Sequence, residues 1–179
     1  LVPNFTTSGY GMTPEIANLC KQYCGAVAVS WYRSEYTLKA IQMLLDAGVK
    51  TNIHYVLGKN SIDEAIQRLK SNDFPKGINA IIFLLHKPAG QGSQANVLSV
   101  DDPRVAEFFA QLDVPHPFKV GMDSCNVPGA IHFCKSILPE SLDTCEGGRY
   151  SCYIGADMIM VRCSFDQDKR LKTGAFFIR

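Results

Sequence analysis

The chain reads as an α/β protein built on a parallel sheet, and three observations lead there. Short apolar runs alternate with stretches of helical period at about 25 residues per unit, the rhythm of βα units joined by right-handed crossovers. The runs at 26–31 and 78–85 are apolar nearly throughout, as strands of a parallel sheet buried on both faces are. The stretches between the runs open on capping residues and carry apolar positions three and four apart. After residue 122 the rhythm gives way to a cysteine-rich segment. The organisation is therefore a βα part over 1–122 and a small cysteine-rich module with a β-hairpin over 123–179.

Taken in order, residues 1–7 form a first strand that ends in Thr6-Thr7-Ser8-Gly9. Thr13 caps a helix with Pro14 at its first position, where a missing N–H costs nothing. Ile16, Leu19, Cys20 and Tyr23 make its apolar face. Gly25 ends that helix and the strand at 26–31 follows. Ser34 caps the second helix, whose stripe is Leu38, Ile41, Leu44 and Leu45, and Gly48 ends it. Residues 49–57 are the third strand. Ser61-Ile62-Asp63-Glu64 has the form of a capping box, with Ile62, Ala65, Ile66 and Leu69 facing inward. The strand at 78–85 runs into a glycine-rich exit, His86-Lys87-Pro88-Ala89-Gly90-Gln91-Gly92. Asp101-Asp102-Pro103 opens a fourth helix that buries Val105, Phe108, Phe109 and Leu112, and 118–122 is the fifth strand.

Composition excludes several classes of function. The 179 residues are 46% hydrophobic and 20% charged, with a formal net charge of +1. That balance supplies no electrostatic footprint for nucleic acid or an anionic membrane. No apolar run is long enough to span a bilayer, and no signal peptide is visible. Seven cysteines beside a sizeable core argue against a disulfide scaffold and for a reducing, cytoplasmic setting. The opening Leu-Val-Pro-Asn suggests a piece of something larger.

Chemistry in parallel α/β sheets gathers at the carboxyl ends of the strands. Those ends carry Thr6, Thr7 and Ser8; then Ser30, Trp31, Tyr32 and Arg33; then His54 and Tyr55; then His86, Lys87 and Gly90; then Asp123, Ser124 and Cys125. Cys145, Cys152 and Cys163 follow within nineteen residues of one another. Two apolar stretches around Gly155-Ala156-Asp157 read as a hairpin that brings Cys152 and Cys163 to a common point, and Gly147-Gly148 lets Cys145 fold back to it. Thiolates converging from loops and strand ends hold zinc or an iron–sulfur cluster. The spacing lacks the paired Cys-x2-Cys of zinc ribbons, which favours a cluster. Ordinary buried thiols and disulfides are the competing readings. Cys20 and Cys24, four apart on a helix, read as core thiols.

The order of these pieces resembles the later part of a radical S-adenosylmethionine enzyme followed by an auxiliary-cluster region of the SPASM or twitch type. Thr6-Thr7-Ser8-Gly9 resembles that family's Thr-Asn-Gly end of the third barrel strand. Ala26-Val27-Ala28-Val29-Ser30 is similar to its fourth strand. Ile53-His54-Tyr55-Val56 with Asn60 is similar to its fifth, and Phe83 through Gly90 to its sixth, with a Pro-x-Gly exit. The family's Cys-x3-Cys-x2-Cys loop and its Gly-Gly-Glu-Pro segment are not in this chain. Ser8 stands where the family has Asn, and His54 where it often has Asn.

The resemblance implies an incomplete parallel (βα) barrel of TIM-like type. It implies that Thr7, Ser30, His54, Pro88 and Gly90 touch S-adenosylmethionine, and that Cys125, Cys145, Cys152 and Cys163 ligate one auxiliary 4Fe–4S cluster. It also implies a small-molecule or peptide substrate. The chain alone is then inactive and pairs with a missing N-terminal segment of the same protein, or with itself through its exposed first strand. Two other classes stay open: a zinc-stabilised four-cysteine structural or binding module, and a non-radical α/β enzyme with His54 or His86 as general base.

Overall fold

Five strands in sequential order make one all-parallel sheet. They are β1 (Asn4–Thr7), β2 (Ala26–Ser30), β3 (Thr51–Leu57), β4 (Ala80–Leu85) and β5 (Lys119–Met122). The computed structural model describes residues 1–165. Four helices connect the strands: α1 (Pro14–Tyr23), α2 (Glu35–Asp46), α3 (Ile62–Ser71) and α4 (Pro103–Leu112). The α/β class and the parallel sheet alternating with helices are thus as the sequence implies.

The helices pack on one face of the sheet. Val27, Val29, Ile53, Tyr55, Ile81 and Phe83 share that face by register. They join Ala17, Ile41, Leu44, Ile62, Leu69 and Phe108 from the four helices in a single buried cluster. Burial therefore alternates along β3, with Ile53, Tyr55 and Leu57 buried and His54 and Val56 not. The opposite face carries Asn4, Thr6, Ser30, Asn52 and His54, and none of these belongs to the core cluster. One-sided cover is a departure from strands buried on both faces, and the bare side is mixed: a polar row on β1–β3 lies beside Ala26, Ala28 and Val56 and beside Ala80, Ile82 and Leu84 of β4.

Local signals mostly hold. Thr13 caps α1 by accepting from the Ile16 N–H at 3.3 Å, and Asp102 caps α4 by accepting from the Arg104 N–H at 3.1 Å. The capping box at α3 does not form. The Ser61 hydroxyl instead accepts from the Gly58 N–H at 2.9 Å and donates to the Val56 carbonyl at 2.8 Å, closing the β3–α3 turn. Glu64 is drawn into an ion-pair network instead. The α1 stripe is also a correction. Ala17 and Cys20 are buried, whereas Ile16, Leu19 and Tyr23 are exposed. On α2, Leu38 is exposed, and Thr37 and Ala40 take buried positions.

A fifth helix, α5 (Val127–Phe133), was not anticipated from sequence. It packs on α4, where Phe133 stacks on Phe109 at 5.7 Å between centroids. Two short strands, β6 (Tyr153–Ile154) and β7 (Met160–Val161), pair antiparallel beyond it. Among the described residues β1 pairs only with β2, so its outer edge is open, and no helix is long and apolar enough to cross a membrane.

Candidate functional site

Ser30 and His54 face each other in register across β2 and β3, on the bare side of the sheet. Ser30 is the last residue of its strand, so the pair stands at the carboxyl end of β2. The His54 Nδ1 lies 3.5 Å from the Thr6 hydroxyl, two strands away. Burial pulls the His54 imidazolium below the ordinary histidine range, which keeps the ring neutral near pH 7 and available as a hydrogen-bond partner. Beneath it opens a hollow of about 210 Å³ lined by Asn4, Thr6, Ala26, Ala28 and Asn52 with His54. Asn52 accepts from Asn79 at 2.7 Å and Asn4 accepts from the Ala26 N–H at 2.7 Å. That hollow takes in neither Ser30 nor Gly90.

The other rim residues sit at the neighbouring strand exits. The Thr7 hydroxyl accepts from the Gly9 N–H at 3.0 Å and turns the chain away from β1. Pro88 and Gly90 lie in the exit of β4. Gly90 has φ of +60°, which favours glycine, and a Cβ there would meet nothing within 4 Å. His86 is bonded through Nε2 to the Ser93 carbonyl at 2.9 Å, which closes the loop that follows β4.

At the exits of β4 and β5 a second polar group forms. The Asp123 carboxylate accepts from Lys87 Nζ at 2.5 Å, from Asn126 Nδ2 at 2.8 Å and from the Leu85 N–H at 3.3 Å. The ion pair is largely buried, with side chains 16% and 19% exposed. Burial pushes the neighbouring Cys125 thiol up, and the Lys87 charge opposes that rise. Lys87 Nζ also stands 4.8 Å over the Phe165 ring, two residues past Cys163. Lys87 and Asp123 were legible separately as strand-exit residues. Their pairing follows only from the β4–β5 register.

The four cysteines divide three and one. Cys145, Cys152 and Cys163 line one hollow of about 520 Å³, together with Ser124. A Cβ at Gly147 would lie 3.4 Å from the Cys145 sulfur and 3.7 Å from Cys163 Cβ, ordinary contact distances that place Gly147 between the two, and 3.1 Å from the Arg162 carbonyl. Cys125 does not line that hollow, although its thiol feels the charge of Cys145. The β6–β7 register pairs Tyr153 with Val161. Continued by one residue, it would set Cys152 opposite Arg162 and not Cys163, but the ladder stops short of both cysteines. Among the described residues no group of three or more His, Cys, Asp or Glu side chains is placed to hold a metal ion. In donor type alone the set suits a thiophilic group: three cysteines line one hollow and a fourth stands beside it.

The other three cysteines lie elsewhere. Cys20 is buried in the core, where burial and Cys24 raise its thiol. Cys134 donates to the Phe109 carbonyl at 3.6 Å, and burial, with Asp113, pushes it up to about 11.

Sequence reading missed one network completely. Glu64 receives hydrogen bonds from Arg68 Nε at 2.8 Å, Trp31 Nε1 at 3.3 Å and the Tyr55 hydroxyl at 3.1 Å, and pairs with Arg33. Burial pushes its carboxyl up, but the bonds from Arg68, Arg33 and Trp31 outweigh it and bring it down to about 2. Arg33 has φ of 60°, an uncommon conformation for a non-glycine residue. The network thus fixes the turn that follows Ser30.

No protein-family model, no curated protein and no solved structure matches this chain.

Proposed function

We propose that the chain is part of a radical S-adenosylmethionine enzyme, with the βα units contributing to an incomplete barrel that holds the cofactor and the cysteine segment holding one auxiliary 4Fe–4S cluster. The observation that carries this reading is the one-sided sheet. Sequentially ordered parallel strands with helices packed on one face are what a barrel wall requires. Of the residues of the family resemblance, Thr7 and Ser30 end β1 and β2, Pro88 and Gly90 follow β4, and His54 lies mid-strand in β3 as the register partner of Ser30, not at the strand end that the sequence suggests.

In such enzymes a reduced iron–sulfur cluster and S-adenosylmethionine supply radical chemistry, and the protein's part is binding, orientation and exclusion of competing reactions. Ser30 offers a hydroxyl at the strand end and neutral His54 offers a ring nitrogen beside it, both suited to polar atoms of the cofactor. Thr7 and the Pro88–Gly90 exit border the same rim from either side. The Glu64 network holds the turn after Ser30, and the Lys87–Asp123 pair holds the exits of β4 and β5 and hence Cys125. Cys125, Cys145, Cys152 and Cys163 are the cluster's ligands in this reading. The open edge of β1 is where a further βα unit of the same protein would pair, and catalysis would need that unit. The substrate would be a small molecule or peptide and the setting cytoplasmic.

Equilibrium dialysis with labelled S-adenosylmethionine under anaerobic conditions tests the cofactor site. Ser30→Ala and His54→Ala should each weaken binding about tenfold, the effect of one lost hydrogen bond to a buried partner. Unchanged binding in both variants would overturn the assignment. The same thiols also suit zinc in a closed structural site, and metal analysis of the purified protein separates the two.

A further inference from the structure

A separate cavity lies on the helix-bearing side of the sheet, beneath the segment that joins β4 to α4. Its volume is about 210 Å³. Leu57, Ile62, Leu85, Phe108 and Phe109 form its floor, and Leu98, Ser99 and Val100 its roof. Phe133 and Gly129 of α5 close one side, and Cys125 stands at its wall. Among the described residues no charged side chain lines it, and the Asn126 amide that borders it already donates to the Phe83 carbonyl and to Asp123.

Protein interiors ordinarily close such voids by small shifts of side chains and loops. Here polar clamps hold the roof at both ends. Asn96 accepts from the Lys59 N–H at 3.0 Å through its carbonyl and from the Asn60 N–H at 2.8 Å through its side chain. Gly58 lies so close under Asn96 that a Cβ would meet its side-chain nitrogen at 2.6 Å. At the other end Arg104 donates to Asp102 at 2.7 Å and to Asp63 at 2.8 Å. The side wall is equally fixed. A Cβ at Gly129 would stand 2.5 Å from the Phe109 ring, so α5 already sits as near α4 as it can. The roof cannot drop and the wall cannot close in, and an apolar space remains.

We propose that this cavity is a binding site for a small uncharged apolar molecule, a single aromatic ring with a short alkyl substituent or a branched alkyl group of similar size. The hollow opens to solvent at Val100, and since an enclosed apolar cavity of about 150 Å³ takes up benzene, the present volume suits a molecule somewhat larger. The site is distinct from the polar row at Ser30 and His54, which lies on the opposite face of the sheet. It does not rest on the radical-enzyme reading, and its test uses neither iron nor S-adenosylmethionine.

Toluene is the probe. Ligand-observed NMR on the full chain should show toluene bound. Toluene at roughly ten times its Kd should raise the melting temperature by about 4 °C. Leu98→Trp fills the cavity from the roof and should abolish both signals while keeping the wild-type circular dichroism spectrum. Ile131→Ser, exposed on the far side of α5, should leave both intact. If Leu98→Trp does not fold, Val100→Trp at the exposed mouth should block uptake in its place. Absence of toluene binding to the wild type, or a folded roof variant that binds it as the wild type does, would overturn the proposal.

Discussion

Ser30 and His54 are register partners on adjacent parallel strands, with their side chains on the face of the sheet that none of the described helices covers. A histidine there has no core to join, yet the strands around it remove enough water to lower its pKa. Its titration is therefore a direct reading of that environment. NMR should place the His54 midpoint below the ordinary value of 6.5. The sign follows from desolvation, which disfavours the imidazolium. The folded state binds this proton less well than the unfolded chain does, so the contribution to stability is present above about pH 6.5 and lost as pH falls through the lower folded value. A midpoint above 6.5 would mean that an anion, and not burial, governs the ring.

Glu64 should matter more to stability than any other surface-proximal carboxylate, because four side chains donate to it or pair with it. Glu64→Gln keeps the shape and removes the charge, and should cost on the order of 2 kcal/mol in denaturant unfolding. Its carboxyl is lowered to about 2 in the fold. The stabilisation is thus present above the unfolded value near 4.5 and lost as pH falls from there toward 2. The wild type should show this loss between those limits and Glu64→Gln should not. An equal acid slope in both proteins would remove Glu64 from the account of acid stability.

The open edge of β1 should make the chain associate. Unpaired strand N–H and C=O groups invite a partner strand. Phe5 on that strand and Ile16, Leu19 and Tyr23 on α1 are exposed apolar side chains, 40%, 41%, 53% and 59% accessible. Sedimentation at micromolar concentration should reveal species larger than a monomer, and Leu19→Lys should shift the distribution toward monomer. A monomer that Leu19→Lys leaves unchanged would mean the edge is inert in solution.

The alternation of strands and helices was legible because each element carries its own signal: Pro14 and Thr13 at one start, Pro103 and Asp102 at another, and apolar runs between. Burial was less legible. Ile16, Leu19 and Tyr23 have the period of a buried stripe, but burial depends on what packs against α1, and periodicity does not supply the neighbour. Ser61 and Glu64 have the spacing of a capping box, yet Arg33 and Arg68 compete for the carboxylate and the β3–α3 turn takes the hydroxyl. Sequence grouped Cys145, Cys152 and Cys163 at one point through a hairpin and glycines; the three line one hollow, but the β6–β7 ladder stops short of Cys152 and Cys163 and, among the described residues, they form no metal-holding group. It also assigned Cys125 to them, and Cys125 lies beside that hollow without lining it. Helix α5, with Pro128 and Gly129 in a seven-residue span, lacked the length that makes a period visible.

The most direct test of the proposed function is the iron and sulfide content of the anaerobically purified chain, measured with its visible absorption. A thiolate-bound 4Fe–4S cluster predicts about four iron and four sulfide per chain with broad visible absorption. Cys125→Ala, Cys145→Ala, Cys152→Ala and Cys163→Ala should each lose most of it, and Cys20→Ala and Cys134→Ala should retain it. Colourless protein carrying zinc, or equal loss in the two control variants, would contradict the assignment of these four cysteines to a cluster.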